Sequence, residues 1–195
     1  MSAVGVAGTF ADMLEVARPG DYLFLWDKTP ISYAIEELTE QTVAGHEEQG
    51  PSHVISLWTF PAVSDEMYET EAVFTPFANG CRMLPLSHYA HSKNRMLLCR
   101  RAGATDQDIA QACGQALSAL GRQYEVREEF QILLHKIAPW IHPGETDNKL
   151  YCSGYLQWDW RLGSVPFAAA KGGGNLTPMQ CLLDTGTEHA MWVNR

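Results

Sequence analysis

Residues 52–86 read SHVISLWTFPAVSDEMYETEAVFTPFANGCRMLPL. Residues 54–60 are apolar and rich in β-branched and aromatic residues, and 67–74 and 81–86 read as the strands that follow. Pro61-Ala62-Val63-Ser64-Asp65 separates the first two. Asn79-Gly80, a pair that tolerates positive φ, reads as the turn between the last two. Three consecutive strands on short connections predict an antiparallel meander. Within it, Glu69 and Glu71 share one face, because strand side chains alternate.

Working outward, 95–100 reads as a further strand, and the apolar run 22–26 as a buried one. The strands together predict an antiparallel sheet that closes part-way into a barrel. Helical spacing appears on both sides of this block. Phe10, Met13, Leu14 and Ala17 predict a helix stopped by Pro19-Gly20. Residues 32–39 read as a short helix with Ile35 and Leu38 inward, and the polar stretch 42–50 as a loop. After Gly103, Ile109, Ala112, Cys113, Ala116, Leu117 and Leu120 repeat at helical spacing. Thr105 and Asp108 predict its capping box, and Gly121 its C-terminal cap. A second helix is expected over 126–138, stopped by Pro139, followed by a loop over 140–149. A third opens near Cys152 and ends at Gly163. Lys171-Gly172-Gly173-Gly174 reads as a connector, and no element is assigned from Thr177 onward. Strands in one block and helices in others predict an α+β fold, as a single domain over 1–195.

Composition narrows the function classes. Apolar residues make up 46% of the 195, enough for a core, and no run is long enough to cross a membrane as a helix. The formal net charge is -9 without a Lys/Arg cluster, which argues against a nucleic-acid partner. Residues 1–10 carry no basic segment leading an apolar stretch, so no secretory signal is expected. The five cysteines, Cys81, Cys99, Cys113, Cys152 and Cys181, are odd in number and form no Cys-x-x-Cys pair. They read as free thiols, with Cys99 and Cys113 as small core residues.

Cys152 opens Cys152-Ser153-Gly154-Tyr155-Leu156-Gln157-Trp158. The free N–H groups and dipole of a helix starting there favour a thiolate and can hold an oxyanion. Gly154 is expected to let a substrate approach the first turn. His53 heads a core strand, at a rim where it can face such a helix end. Either Glu69 or Glu71, one hairpin away, can orient the imidazole as the third member of a triad does. Locally, a buried thiol, a surface histidine and two solvated glutamates would account for the same residues. His88-Tyr89-Ala90-His91 offers two histidines to a metal without a third ligand. Lys171–Gly174 lacks the order of a phosphate loop.

Taken in order, these segments resemble the YiiX/YaeF-like permuted papain-like amidases of the NlpC superfamily. The resemblance rests on Pro19-Gly20-Asp21 before a strand, Ser32 and Ile35 with Thr39 behind, Ser52-His53-Val54 and Glu71-Ala72-Val73. It continues through Gly121-Arg122-Gln123-Tyr124-Glu125, Tyr151-Cys152-Ser153 and Thr177-Pro178, spanning roughly residues 18 to 185. It implies a permuted papain-like fold, a strand barrel packed on helices, with the order histidine, acid, cysteine. It also implies Glu71, rather than Glu69, as the acid. The sequence departs from the family pattern at Gly154, where the family has Glu, at Glu125, where it has Asp, and in an inserted stretch, 41–50.

The expectation is a cysteine peptidase or amidase using Cys152, His53 and Glu71, with no cofactor and no metal. Peptidoglycan peptides are the leading substrate, which would require delivery to the periplasm without a signal peptide, as for an antibacterial effector with an immunity or delivery partner. Acyl-lipid or N-acyl amide chemistry is the alternative. A silent binding module, or a metal protein built on His88 and His91, stands further off.

Overall fold

The computed structural model describes residues 6–26, 41–43, 46–48, 50–75, 78–124, 149–167 and 176–193. The helices expected over 32–39 and 126–138, and the connector at 171–174, lie outside them. In chain order the elements are β1 (Val6–Gly8), α1 (Phe10–Val16), β2 (Tyr22–Trp26), β3 (Gln41–Val43) and β4 (His46–Glu48). Then come β5 (His53–Phe60), β6 (Ser64–Thr75), β7 (Ala78–Pro85), a 3-10 turn (Leu86–Tyr89) and β8 (Arg95–Arg101). They continue with α2 (Asp106–Ser118), β9 (Gln123–Tyr124), β10 (Lys149–Leu150), α3 (Cys152–Trp160), α4 (Pro178–Leu182) and β11 (Thr187–Val193). The architecture is α+β.

A seven-stranded sheet runs β1-β11-β8-β2-β5-β6-β7. Its pairs are antiparallel except β1 with β11. The middle strands are covered on both sides, which explains why β2 reads as an unbroken apolar run rather than an alternating one. Tyr22, Phe24, Val54, Trp58, Ala72, Leu97 and Cys99 face one cluster, which holds α2 and α3. Leu23, Leu25, Ile55, Leu57, Met96 and Leu98 face the other, with Phe10 and Met13 of α1. Burying each such large side chain contributes about 1.5–3 kcal/mol. Leu14, expected inside, points to solvent.

Helix α2 turns Ala112 and Ala116 inward, and these small residues let it lie close to α3. The Tyr155 hydroxyl donates to the Ala116 carbonyl across the two helices at 2.8 Å. Thr105 caps α2 in a reciprocal capping box with Asp108, as the sequence predicts.

Four expectations change. The β6–β7 hairpin exists, but its turn is not Asn79-Gly80: Asn79 pairs with Phe74 and Gly80 with Val73 inside the ladder. Gly80 (φ 131°) is there because a Cβ would lie 2.2 Å from the Arg122 carbonyl oxygen. The meander is confined to β5–β7, since β8 returns across the sheet to pair with β2. Among the described residues the hydrogen-bonded order runs open from β1 to β7. The polar stretch read as a loop contains β3 and β4, an antiparallel pair apart from the main sheet. The segment from Thr177 is ordered by sequence after all: Thr177 and Gln180 form a capping box and Pro178 opens α4.

Candidate active site

Cys152 is the first residue of α3, as the sequence predicts, and is 1% exposed. Tyr151 precedes the helix in extended conformation and makes no side-chain cap. The first helical backbone bond in this turn runs from Tyr155 N to Tyr151 O, 2.8 Å. The N–H groups of the opening residues therefore have no partner within the helix, and they surround the sulfur with positive potential. The turn is pinned from below by Ser153, whose hydroxyl donates to the Leu176 carbonyl at 2.6 Å. Gly154 serves this turn differently from the sequence expectation. The Tyr151 ring occupies the space a side chain would take, with a ring carbon 2.9 Å from where the Cβ would sit.

His53 begins β5 opposite Leu25 of β2, and the neighbouring Ser52 N–H donates to Leu25 O at 2.9 Å. This fixes the imidazole at the end of the strand, with its side chain 19% exposed. Its Nε2 lies 2.6 Å from Glu71 Oε2. Cys152 lies near enough to the ring to favour its charged form. Nε2 is taken by Glu71, and Nδ1 is the ring's other nitrogen. Burial disfavours the imidazolium, but the neighbouring Cys152 and Glu71 outweigh it and hold the His53 pKa well above the ordinary range.

Glu71 is held from three sides. Arg82, its cross-strand partner, donates Nε–H to Oε1 at 2.7 Å, and the Tyr89 hydroxyl donates to Oε2 at 3.0 Å. Burial alone would raise this carboxyl; the hydrogen bonds and charges of His53 and Arg82 bring it to about 2. Glu69, on the same face, is equally buried, but neither of its oxygens has a hydrogen-bond partner. Burial, and then the charge of Glu71, push it up to about 9, so it is a neutral acid at neutral pH. His53 is therefore paired with Glu71 and not with Glu69.

Arg82 and Tyr89 escaped the sequence reading. The alternation of β7 against β6 would have found Arg82, but nothing local marks Tyr89, which arrives on the 3-10 turn. That tyrosine sits inside the motif read for its two histidines. Among the described residues, no group of three or more His, Cys, Asp or Glu is arranged to hold a metal ion.

The other cysteines are held as thiols. Burial pushes Cys81 up to about 12, and pushes Cys99, Cys113 and Cys181 above the ordinary thiol range. The flanking motifs have structural tasks. Asp21 takes both arms of Arg100, at 2.7 and 2.6 Å, and seats β2 against β8. Gly121 (φ 81°) turns the chain after α2, so that Cys81 and the Gly121–Arg122 segment exchange backbone bonds of 2.8 and 2.9 Å.

No protein-family model matches the chain, and no curated protein matches it. Among solved structures it is similar to the crystal structure of the metalloprotein YiiX from Escherichia coli O157:H7. The likeness has a TM-score of 0.57 at 16% identity and covers 89% of this chain and 96% of that one. At that identity the likeness is one of fold.

Proposed function

We propose that this chain is a cysteine hydrolase of the permuted papain-like kind, in one domain, acting on amide bonds. The observation that carries this reading is the imidazole of His53 bonded at 2.6 Å to a buried, ionised Glu71, with Cys152 nearby at a helix N-terminus. The fold shared with YiiX is consistent with it. That neighbour is a metalloprotein, whereas among the described residues here no group of three or more His, Cys, Asp or Glu is arranged to hold a metal ion.

The steps follow from the groups present. His53 takes the Cys152 proton on Nδ1, and Glu71 stabilises the resulting cation through Nε2. The sulfur attacks the carbonyl carbon, and the oxyanion that forms is held by backbone N–H groups of the first α3 turn. The intermediate collapses, the C–N bond breaks, and the imidazolium gives its proton to the departing amine. A thioester remains. Water, deprotonated by His53, attacks it, and the carboxylic acid leaves as the thiol reforms.

Peptidoglycan peptides are the proposed substrate, reached by delivery to the periplasm, with an immunity or delivery protein as partner. The test is mass spectrometry of peptidoglycan fragments incubated with wild type and with Cys152→Ala. New amine and carboxylate termini with wild type alone, and an unchanged melting temperature in the variant, are expected. Equal cleavage by both proteins would overturn the assignment of Cys152. Cleavage of acyl amides or acyl lipids instead would keep the nucleophile and replace the substrate.

A further inference from the structure

Arg82, Arg100 and Arg101 are each spent on a carboxylate, of Glu71, Asp21 and Asp184 respectively. Arg122 and Arg161 are not: among the described residues no carboxylate pairs with either. Both are packed instead on one indole, that of Trp158, with guanidinium carbons 4.1 and 3.2 Å from the ring centre. Those two distances laid end to end keep the carbons within about 7 Å of each other. Gly154, Gln157, Trp158 and Arg161 form the outer stripe of α3, while Cys152, Tyr155, Asp159 and Trp160 face inward. Trp158 also lies about 9 Å beyond Cys152 along the helix axis. The arginine pair is therefore separate from the Cys152–His53 site. Asp159, the nearest acid in sequence, is turned into the core, where its Oδ2 accepts from the Ser56 hydroxyl at 2.7 Å.

The pair is fixed in place and uncompensated. The Arg122 carbonyl accepts from Cys81 N–H at 2.8 Å, and its own N–H donates to Ala119 O at 3.1 Å. Arg161 donates from Nη2 to Gln115 Oε1 at 3.1 Å. That bond orients the Gln115 amide, whose two N–H donors remain for an acceptor beside Arg161. Arg161 is exposed, and Arg122 and Gln115 are half-buried at the surface. Burial, and then the charge of Arg122, lower the Arg161 pKa, which is what two close cations without an anion produce. The C-terminal end of α3 adds about half a negative charge, well short of the two full positive ones. The chain has 23 acidic residues against 14 basic ones, so the lack of a carboxylate at this pair is not for want of acids.

The geometry points to an anion site at Arg122, Gln115 and Arg161, built on Trp158, for the dianionic phosphoryl group of a phosphate monoester or of inorganic phosphate. A phosphoryl group carries three oxygens in different directions, one for each guanidinium and one for the Gln115 amide, whereas a planar carboxylate has two. Charge-assisted contacts of about 2.8 Å let one such group reach guanidiniums set this far apart. The indole holds the two forks and takes no part in contacting the anion. This assignment does not depend on the hydrolase reading.

The test is a titration of the isotopically labelled protein at low ionic strength, followed through the side-chain Nε–H signals of Arg122 and Arg161. Arg122→Lys and Arg161→Lys assign those signals. The probes are inorganic phosphate and glycerol 3-phosphate, and acetate and dimethyl phosphate, each with one negative charge, are the comparisons. A saturable shift of both signals is expected with the dianions, with the monoanions weaker by about tenfold or more. Arg161→Gln, at an exposed position, is expected to weaken phosphate by about tenfold or more at an unchanged melting temperature. Arg161→Lys, which keeps the charge and loses the fork, is expected to fall between. Cys152→Ala is expected to bind as wild type does. Sedimentation with phosphatidylcholine vesicles, with and without phosphatidic acid, separates the two sources of the group. Retention on phosphatidic acid that Arg161→Gln abolishes would assign a lipid headgroup, and binding of glycerol 3-phosphate without such retention a soluble ligand. No saturable shift with either dianion would overturn the site. Equal binding of the monoanions would overturn the phosphoryl group, and undiminished binding by Arg161→Gln would overturn the location.

Discussion

At the scale of single residues, the two glutamates of β6 make the sharpest contrast. They stand two positions apart on one face, equally buried, yet one is ionised and the other neutral. The difference is the partner set: Glu71 has His53, Arg82 and Tyr89, and Glu69 has none. Glu71→Gln is expected to slow turnover by roughly 10²–10⁴-fold. It is also expected to lower the His53 pKa, read by NMR titration, because the largest charge supporting the imidazolium is gone. The alkaline limb of the rate profile should move down with it, since activity is lost as pH rises through the folded-state pKa of His53. Glu69→Gln replaces one neutral group by another and should keep near-wild-type turnover. A large loss of rate in Glu69→Gln alone would reverse the assignment.

At the scale of elements, the strands and the capped helices were legible because their signals are local. The apolar run of β2, the capping box at Thr105 and the helix opening at Cys152 each announce themselves within a few residues. The site was legible in part for the same reason, since His53 and Cys152 both sit at element ends. Long-range placement was not legible. The return of β8 to β2 depends on which strand edges remain free after β5–β7 have paired, and Tyr89 reaches Glu71 through a turn whose sequence says nothing of its target. Gly80 shows how a local signal misleads: the Asn-Gly pair marks a close approach to the Arg122 carbonyl rather than a turn. Gly80→Ala is expected to destabilise the protein by about 2 kcal/mol or more, through both the clash and the positive φ. Urea unfolding would read this loss. An unchanged midpoint would mean that β7 and the 121–124 segment are not packed as described.

At the scale of the whole molecule, the buried ionisable groups set how stability depends on pH. Glu71, lowered from 4.5 to about 2, contributes stability above its unfolded value that is lost as pH falls toward 2. Glu69, raised from 4.5 to about 9, works the other way: the unfolded chain gains by ionising it, so stability declines as pH rises from 4.5 to 9. His53, raised above 6.5, adds a decline that begins near 6.5 and is complete above its folded-state pKa. Melting temperature is therefore expected to peak at mildly acidic pH. Glu69→Gln should flatten the fall on the alkaline side by about 1–3 kcal/mol, after allowance for the unpartnered amide. A monotonic rise in melting temperature through pH 8 in wild type would contradict this pattern.

The most direct measurement of the central claim is brief alkylation by iodoacetamide near neutral pH, with each cysteine followed by peptide mass spectrometry in wild type and in His53→Ala. Cys152 is expected to react well before Cys81, Cys99, Cys113 and Cys181, which burial holds as thiols, and to lose most of that lead in His53→Ala. A Cys152 that reacts no faster than the other four, or whose rate is indifferent to His53, would contradict the assignment of this pair as nucleophile and base.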